Sequence, residues 1–403
     1  MSSASNAQQR MSFRGGLAFF AGFSAWTFDA FDFFILTYVV PHVAQEFHRS
    51  LADITATLTA SLLMRPVGAF FFGLIADRWG RRVPLMLDIV FYSVMEVLSG
   101  LAPTYRIFYI LRLLYGIGMG GAWGVGASLG MESVPTKWRG VLSGVLQEGY
   151  AIGNLLAAVA FWTVYPHWGW RPMFFIGVIP ALLTLLALFG VEESDAWRAA
   201  AAQKKSWGEY FEVIAANWKR FAYLVVLMAM MNFMSHGTQD LYPTFLQVER
   251  HFDTQVTAII SVISMVGAIV GGILVGLYSD RSGRRRAMVV ATVLAIFLIP
   301  LWIFAPNIAL ISLGAFLIQF MVQGAWGVIP AHITELSPGA ARAFLPGFAY
   351  QIGVLIAART PHFQAATAAR FGYAPTMAVF AAAVFVVGAI VIASGPEAHR
   401  KEF

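Results

Sequence analysis

The chain has 403 residues, 59% of them hydrophobic and only 12% charged, whereas soluble domains carry about 25% charged residues; the composition excludes a soluble globular protein and predicts an all-α integral membrane protein. The absence of cysteine excludes disulfides, thiol chemistry and a cysteine metal site. The net charge of +6 invites nucleic acid, but the placement of the basic residues accounts for it otherwise. Apolar runs of spanning length fall at about 17–40, 54–75, 83–102, 107–131, 141–164 and 171–191, and resume after a polar stretch at 221–247, 256–278, 287–305, 308–332, 343–363 and 375–394. Twelve transmembrane helices follow, in a six-helix half at 1–191, a linker rich in Glu, Lys, Arg and Ala at 192–220, and a second six-helix half at 221–403. The segment from Met1 to Arg14 is short and polar and lacks the charged–apolar–cleavage layout of a signal peptide, so the first span is retained.

Loop Lys and Arg set the orientation. One side holds Arg10, Arg14, Arg78, Arg81, Arg82, Lys137, Arg139, Arg198, Lys204, Lys205, Lys219, Arg220, Arg281, Arg284, Arg285, Arg286, Arg342, Arg400 and Lys401; the other holds Arg49, Arg106, Arg171, Arg250, Arg359 and Arg370. The bias of 19 to 6 puts both termini and the linker in the cytoplasm, with the chain in the cell's inner (plasma) membrane. It also explains the basic balance without nucleic acid.

Nine ionisable groups lie well inside the spans: Asp29, Asp32, Arg65, Asp88, Glu96, Arg112, Glu148, His236 and Asp240. At roughly 2.5 kcal/mol each, facing all of them to lipid would cost on the order of 20 kcal/mol, so most pair or line water. Asp29 and Asp32 lie three apart on one face of the first span; two carboxylates that close disfavour double ionisation, which suits a proton carrier, the bland alternative being a structural pair tied to a neighbouring Arg. Arg65 stands mid-span in the second, a permanent cation that is either neutralised by Asp29 or Asp32 or open to an anion, its fork matched to a carboxylate. Arg112 is the competitor, closer to a helix end. Asp88 and Glu96 in the third span read as packing or latch partners.

The halves repeat each other at one offset. Gly73-Leu-Ile-Ala-Asp77-Arg78-Trp-Gly80-Arg81-Arg82 returns as Gly276-Leu-Tyr-Ser-Asp280-Arg281-Ser-Gly283-Arg284-Arg285, 203 residues on. Gly121-Ala-Trp123-Gly124-Val125 returns as Gly324-Ala-Trp326-Gly327-Val328, and Glu132, Pro135 and Arg139 return as Glu335, Pro338 and Arg342, all at 203. A parallel two-half repeat places a substrate path between the halves. The loop residues Gly73, Asp77, Arg81, Gly276, Asp280 and Arg284 form a cytoplasmic latch on this reading: the aspartates pair with Arg side chains or helix N-termini, and the glycines permit close helix approach.

The seventh span is the most polar. Asn232, His236 and Asp240 recur every four residues and share one helix face, with Ser235 and Gln239 beside them. Pro243 removes the backbone bond to the Gln239 carbonyl and kinks the helix. Such a stripe is either a polar seam that glues helices or a proton and substrate site in which a carboxylate tunes an imidazole.

The pattern Asn232-x-x-Ser235-His236-x-Thr238-Gln239-Asp240-x-x-x-Thr244 resembles the signature of lactate/pyruvate:proton symporters in the sialate:H+ symporter branch of the major facilitator superfamily. Asp29-Ala-Phe-Asp32-Phe-Phe resembles the D-G-F-D-F-F of that branch, Arg65-Pro-Val-Gly68-Ala resembles its R-x-x-G-A segment, and the G-x-x-x-D-R-x-G-R-R loop is diagnostic of the superfamily. Leu146-Gln147-Glu148-Gly149-Tyr150-Ala151 is similar to L-Q-Q-G-Y-A with Glu at position 148, while Gly118-Met-Gly120-Gly121-Ala122-Trp123-Gly124 lacks the family's acid at Ala122; a relocated carboxylate is one reading and unrelated drift the other. Ala349-Tyr350-Gln351-Ile352-Gly353-Val354 resembles A-Y-Q-L-G-N, with Val354 in place of Asn. The resemblance implies a twelve-helix fold and symport by alternating access. Arg65, Asn232, His236, Gln351 and Tyr150 would bind substrate; Asp29, Asp32, Glu148 and Asp240 would couple protons. It implies a small anionic carboxylate as substrate, the lipid bilayer as surroundings, a monomer, and no prosthetic cofactor or metal, the proton being the coupling ion. A sialic-acid or aromatic-acid proton symporter is the alternative within transport, and a transporter-like nutrient sensor the alternative outside it; no nucleophile triad or metal cluster marks an enzyme.

Overall fold

The computed structural model describes residues 11–201 and 206–397; Arg10, Lys204, Lys205, Arg400 and Lys401 of the topology argument lie outside the described residues. The first half comprises α1 (Phe13–Glu46), α2 (Leu51–Trp79), α3 (Arg82–Leu101), α4 (Tyr105–Ser133), a fifth span split into α5 (Arg139–Gln147) and α6 (Gly149–Trp168), and a sixth split into α7 (Arg171–Ile176) and α8 (Val178–Phe189). Two short helices follow, α9 (Asp195–Ala201) and α10 (Trp207–Ala216). The second half comprises α11 (Trp218–Gln239) with α12 (Tyr242–Val248), α13 (Thr254–Ser282), α14 (Arg284–Ile303), α15 (Ile308–Leu336), α16 (Phe344–Ala357) with α17 (Thr360–Phe371), and α18 (Tyr373–Ser394). No strand occurs among the described residues. Helices satisfy their own backbone in lipid, which is why an apolar chain of this length takes this form.

By length and apolarity alone, nine spans among the described residues can cross a membrane. The other three of the twelve are the glycine-rich α4 and the two spans broken at Glu148 and at Ala358–Arg359.

The repeat visible in the sequence sets the helix ends. Ser50 and Asp253 cap the starts of α2 and α13, accepting backbone N–H bonds from Asp53 and Val256 at 3.1 and 2.7 Å. Thr104 and Asn307 do the same for α4 and α15 at 3.4 and 2.9 Å. Both cap pairs keep the 203-residue offset, and a side-chain oxygen there satisfies a backbone donor that the helix leaves orphaned. At the opposite ends of α2 and α13 the chain turns through Gly80 and Gly283, with φ of 103° and 93°, a conformation side chains with a Cβ rarely adopt.

Within the first half, α2 packs on α4 and α1 on α6; α13 on α15 and α11 on α16 are the counterparts in the second. The halves meet through α5 against α13 and α15, and through α16 against α2 and α4.

Candidate functional site

The loop residues singled out by the repeat converge on one side of the molecule, called here the latch side. Arg81 reaches Asp77 at 2.9 Å and Glu132 at 3.1 Å; Arg284 reaches Asp280 at 2.8 Å and Glu335 at 3.1 Å. Each aspartate then crosses to the other half. The Asp77 carboxylate accepts the N–H groups of Ala343 and Phe344, at 2.9 and 3.0 Å, at the start of α16. Asp280 accepts those of Gly140 and Val141, at 2.8 and 3.1 Å, at the start of α5. An anion at a helix N-terminus meets free donors and the positive end of the dipole. Two further pairs cross between halves, Arg139–Glu335 at 3.1 Å and Arg342–Glu132 at 3.4 Å. Gly73 and Gly276 make the contact sterically possible: a Cβ on Gly73 would stand 2.8 Å from the Cα of Phe344, and one on Gly276 2.5 Å from the Gly140 carbonyl oxygen. Net energy from buried ion pairs is small after desolvation, so their effect is positional, holding the latch side shut.

The segment between the halves takes part, which the sequence reading missed. Glu193 accepts the N–H groups of Arg81 and Arg82, at 2.7 and 3.2 Å, capping α3. Ser194 bonds Glu132, Trp197 donates its indole N–H to the Asp77 carbonyl at 3.0 Å, and the Tyr210 hydroxyl donates to the Asp77 carboxylate at 3.1 Å. Burial first, and then the Asp77 charge, push the Tyr210 phenol well above its usual range, so it remains a donor at physiological pH. Only its Trp, Tyr and Ser in an otherwise polar run hinted at docking.

Between the halves, on the other side of the latch, lies a cavity of about 440 Å³ lined from both. At its exposed end are His236 and Asp240, paired Nδ1 to Oδ2 at 2.9 Å, with side chains 35% and 31% exposed; deeper in, Arg65, Asn232 and Glu148 are only 2–4% exposed. Asp240 stands where α11 breaks, one turn before the second-position Pro243 of α12, so the break frees the carboxylate at the far end of the stripe. Asn232 donates its amide to the Met228 carbonyl at 2.8 Å, leaving its oxygen for the cavity. Ser235 is held by Gln323 at 3.2 Å, and Gln239 by Gln319 at 2.7 Å. These amides on α15 were not legible in an unbroken apolar run.

Arg65 has no ion pair among the described residues, and its Nε and Nη2 meet no protein acceptor. Its guanidinium carbon lies 6.0 Å from the Trp26 ring and 5.7 Å from the Tyr350 ring, within cation–π range. Tyr150 stacks on Trp26 with ring centres 5.3 Å apart and meets Phe34 edge-on at 5.0 Å. The outcome is one fixed cation in an aromatic box contributed by both halves. Glu148 sits at the junction of α5 and α6, its Oε1 without a partner and its carboxyl carbon 3.0 Å from where a Cβ on Gly272 would be; it is a carboxylate pressed against the other half.

Three expected site residues lie elsewhere. Gln351 is buried and does not line the cavity; Tyr350 and Val354 do. One residue is a 100° turn around a helix, and α16 presents its neighbours instead. Asp29 and Asp32 are also fully buried and outside the cavity lining. Their face of α1 turns into the first half, where the Tyr115 hydroxyl donates to the Asp29 carbonyl at 3.0 Å, while Phe33 and Phe34 face the cavity. Arg112 is not a free anion site: it pairs with Glu96, bonds Ser99 at 3.0 Å and lies over the Tyr115 ring at 4.3 Å.

Comparison with known proteins bears on the family and the fold. The family model described as Major Facilitator Superfamily matches residues 19–275 and 241–402. The chain is 29% identical to the "Carboxylic acid transporter protein homolog" of Saccharomyces cerevisiae, over 98% of this chain and 70% of that protein. It is 31% identical to the sialic acid transporter NanX of Escherichia coli, over 82% of each. The proton:xylose symporter XylE, solved with 6-bromo-6-deoxy-D-glucose, superposes with a TM-score of 0.75 at 19% identity, over 97% of this chain and 98% of that one, a likeness of fold alone. With a family match along most of its length and relatives that are transporters and not enzymes, this chain belongs to the Major Facilitator Superfamily and is a multi-pass membrane transporter.

Proposed function

We propose that the protein carries a small organic carboxylate together with a proton, by alternating access between its two halves. The observation that carries this is Arg65: a buried guanidinium with unused donors, at the deep end of a cavity between the halves. Uncompensated cations at that depth are costly, and an anionic carboxylate matches the fork in charge and shape. Relatives described as carriers of carboxylic acids and of sialic acid support the same class. His236, Asp240 and Glu148 are the imidazole and carboxyl groups that line the cavity and take up the proton. Neutralising Arg65 with substrate and the carboxylates with protons removes the cost of closing the cavity. One proton moving with one monoanion is electroneutral, so the pH gradient drives uptake. The positive-inside bias makes the latch side cytoplasmic, and the cavity then opens outward.

Lactate or pyruvate is the substrate class proposed on the motif resemblance. An aromatic acid is the second reading, favoured by the rings of Trp26, Tyr150 and Tyr350 around Arg65 and by a cavity much larger than lactate requires. The test is uptake of labelled L-lactate into proteoliposomes with and without an inward-directed pH gradient, beside Arg65→Ala and Asp240→Asn. Gradient-stimulated uptake lost in both variants is expected. Uptake indifferent to the gradient overturns proton coupling. Failure to take up lactate, with saturable uptake of benzoate, transfers the reading to aromatic acids.

A further inference from the structure

The first half contains a second set of ionisable groups, apart from the cavity. Asp88, Tyr92 and Glu96 recur every four residues on α3, so they form one stripe about 12 Å long at 1.5 Å per residue. All three are fully buried or nearly so, at 0–1% exposure, as are Asp29 and Asp32 on α1. Both carboxylate oxygens of Asp29, Asp32 and Asp88, Oε1 of Glu96 and the Tyr92 hydroxyl have no protein partner. None of these residues lines the cavity. Tyr92 is within electrostatic reach of Asp32, Asp29 and Asp88, and Asp88 of Asp29. The charged and titratable groups facing the stripe are Asp29 and Asp32 from α1, Arg65 from α2, and Arg112 and Tyr115 from α4; α8 contributes none, and Arg171 of α7 is turned away to Glu46. The carboxylates form no arrangement that holds a metal ion among the described residues.

Four carboxyl groups beside two arginines, one of them already paired with Glu96, cannot all be ionised at low dielectric, so protons are shared among them. A protonated carboxyl and a phenol each donate and accept at once, and buried polar groups left unsatisfied by protein are where ordered water binds. The stripe also has a direction. Glu96 is near the level of Ser99 and Arg112, whereas Asp88 is six residues, about 9 Å, from the latch-side start of α3 at Arg82.

We propose that the α3 stripe Asp88–Tyr92–Glu96 is a proton conduit inside the first half, separate from the substrate path between the halves. Protons taken up at the cavity pass by way of Asp29, the carboxyl within electrostatic reach of Arg65, and leave along α3 to the latch side. In the step the O–H bond of a protonated Asp29 or Asp32 breaks, Tyr92 accepts that proton and releases its own, and an O–H bond forms on Asp88, with water bridging; no electrons change hands. The conduit rests on the proton-coupled reading above.

The experiment compares wild type with Asp88→Asn, Tyr92→Phe and Asp88→Glu in proteoliposomes carrying an internal pH dye. Two quantities are read: exchange of labelled for unlabelled L-lactate (benzoate where that is the solute carried), which needs no net proton release, and solute-driven acidification of the interior. Asp88→Asn and Tyr92→Phe, which keep the side-chain shape, are expected to leave exchange within about twofold while slowing acidification at least about 100-fold, the low end of what a positioned acid–base group contributes. Asp88→Glu is expected to restore acidification. Normal acidification in Asp88→Asn and Tyr92→Phe overturns the conduit. So does a parallel fall of exchange and acidification that Asp88→Glu leaves uncorrected, because that marks a packing role. Wild type that exchanges solute without acidification overturns the proton-coupled reading itself, and the conduit with it.

Discussion

At the scale of single residues, Arg65 is where charge, shape and position meet. Its Nε and Nη2 donors are unused and its flanks are aromatic, so truncation removes a charge-assisted pair worth about 1.5–3 kcal/mol. Arg65→Ala should raise the half-saturation concentration for uptake by about 10- to 100-fold, measured as initial rates against substrate concentration. Arg65→Lys should recover little, because a point charge does not reproduce the planar fork or its stacking. The sequence showed this residue plainly, since a permanent cation in a span has few explanations. It did not show the box around it, because Trp26 and Tyr350 come from helices more than three hundred residues apart. Gln351 illustrates the same limit at its finest: motif spacing identifies a turn of α16 but not which of two adjacent side chains that helix aims inward.

At the scale of helices, the closed side depends on backbones that touch. A Cβ on Gly124 in α4 would lie 2.6 Å from the Cα of Gly347 in α16, across the boundary between halves. Gly124→Val should therefore wedge the latch side apart, with overpacking costing about 1–3 kcal/mol. Because the chain contains no cysteine, one introduced at Ser143 is a clean reporter; Ser143 is fully buried and accepts the Ala331 N–H across the same boundary at 3.0 Å. Maleimide labelling of Ser143→Cys should quicken at least about 10-fold when Gly124→Val is added, and unchanged labelling would show that the glycine contact does not hold the halves. Nine of the spans are readable from length and apolarity alone, but the breaks at Glu148 and after Gln239 were less so. Pro243 announced one; Glu148 keeps helical φ and ψ, and the Gly149 that follows it is a weak signal among the many glycines of these spans.

At the scale of the whole molecule, the 203-residue repeat is the most informative feature of the sequence, because it gave helix pairing, latch composition and cap positions a common register. What it could not give is the exchange of partners, Asp77 to α16 and Asp280 to α5, nor the docking of Trp197 and Tyr210 on Asp77. Those contacts depend on how the halves lean on each other. Arg139–Glu335 and Arg342–Glu132 tie the two aspartate sites into one network, so Asp77→Asn and Asp280→Asn should not act independently. A double-mutant cycle on the Ser143→Cys labelling rate should give a coupling of at least about 0.5 kcal/mol; strict additivity would mean two separate locks.

The seated aspartates have a kinetic consequence. With the latch side shut and His236 and Asp240 open to solvent, the proposed binding residues already face one compartment before solute arrives. Solute arriving there binds without any prior rearrangement, whereas solute arriving from the other side meets a competent site only in the fraction of molecules whose lock has opened, and its apparent affinity falls by that fraction. The protein is then a rectifier: loading saturates at lower concentration from one face than from the other, and backflow is throttled even where the gradients would permit it.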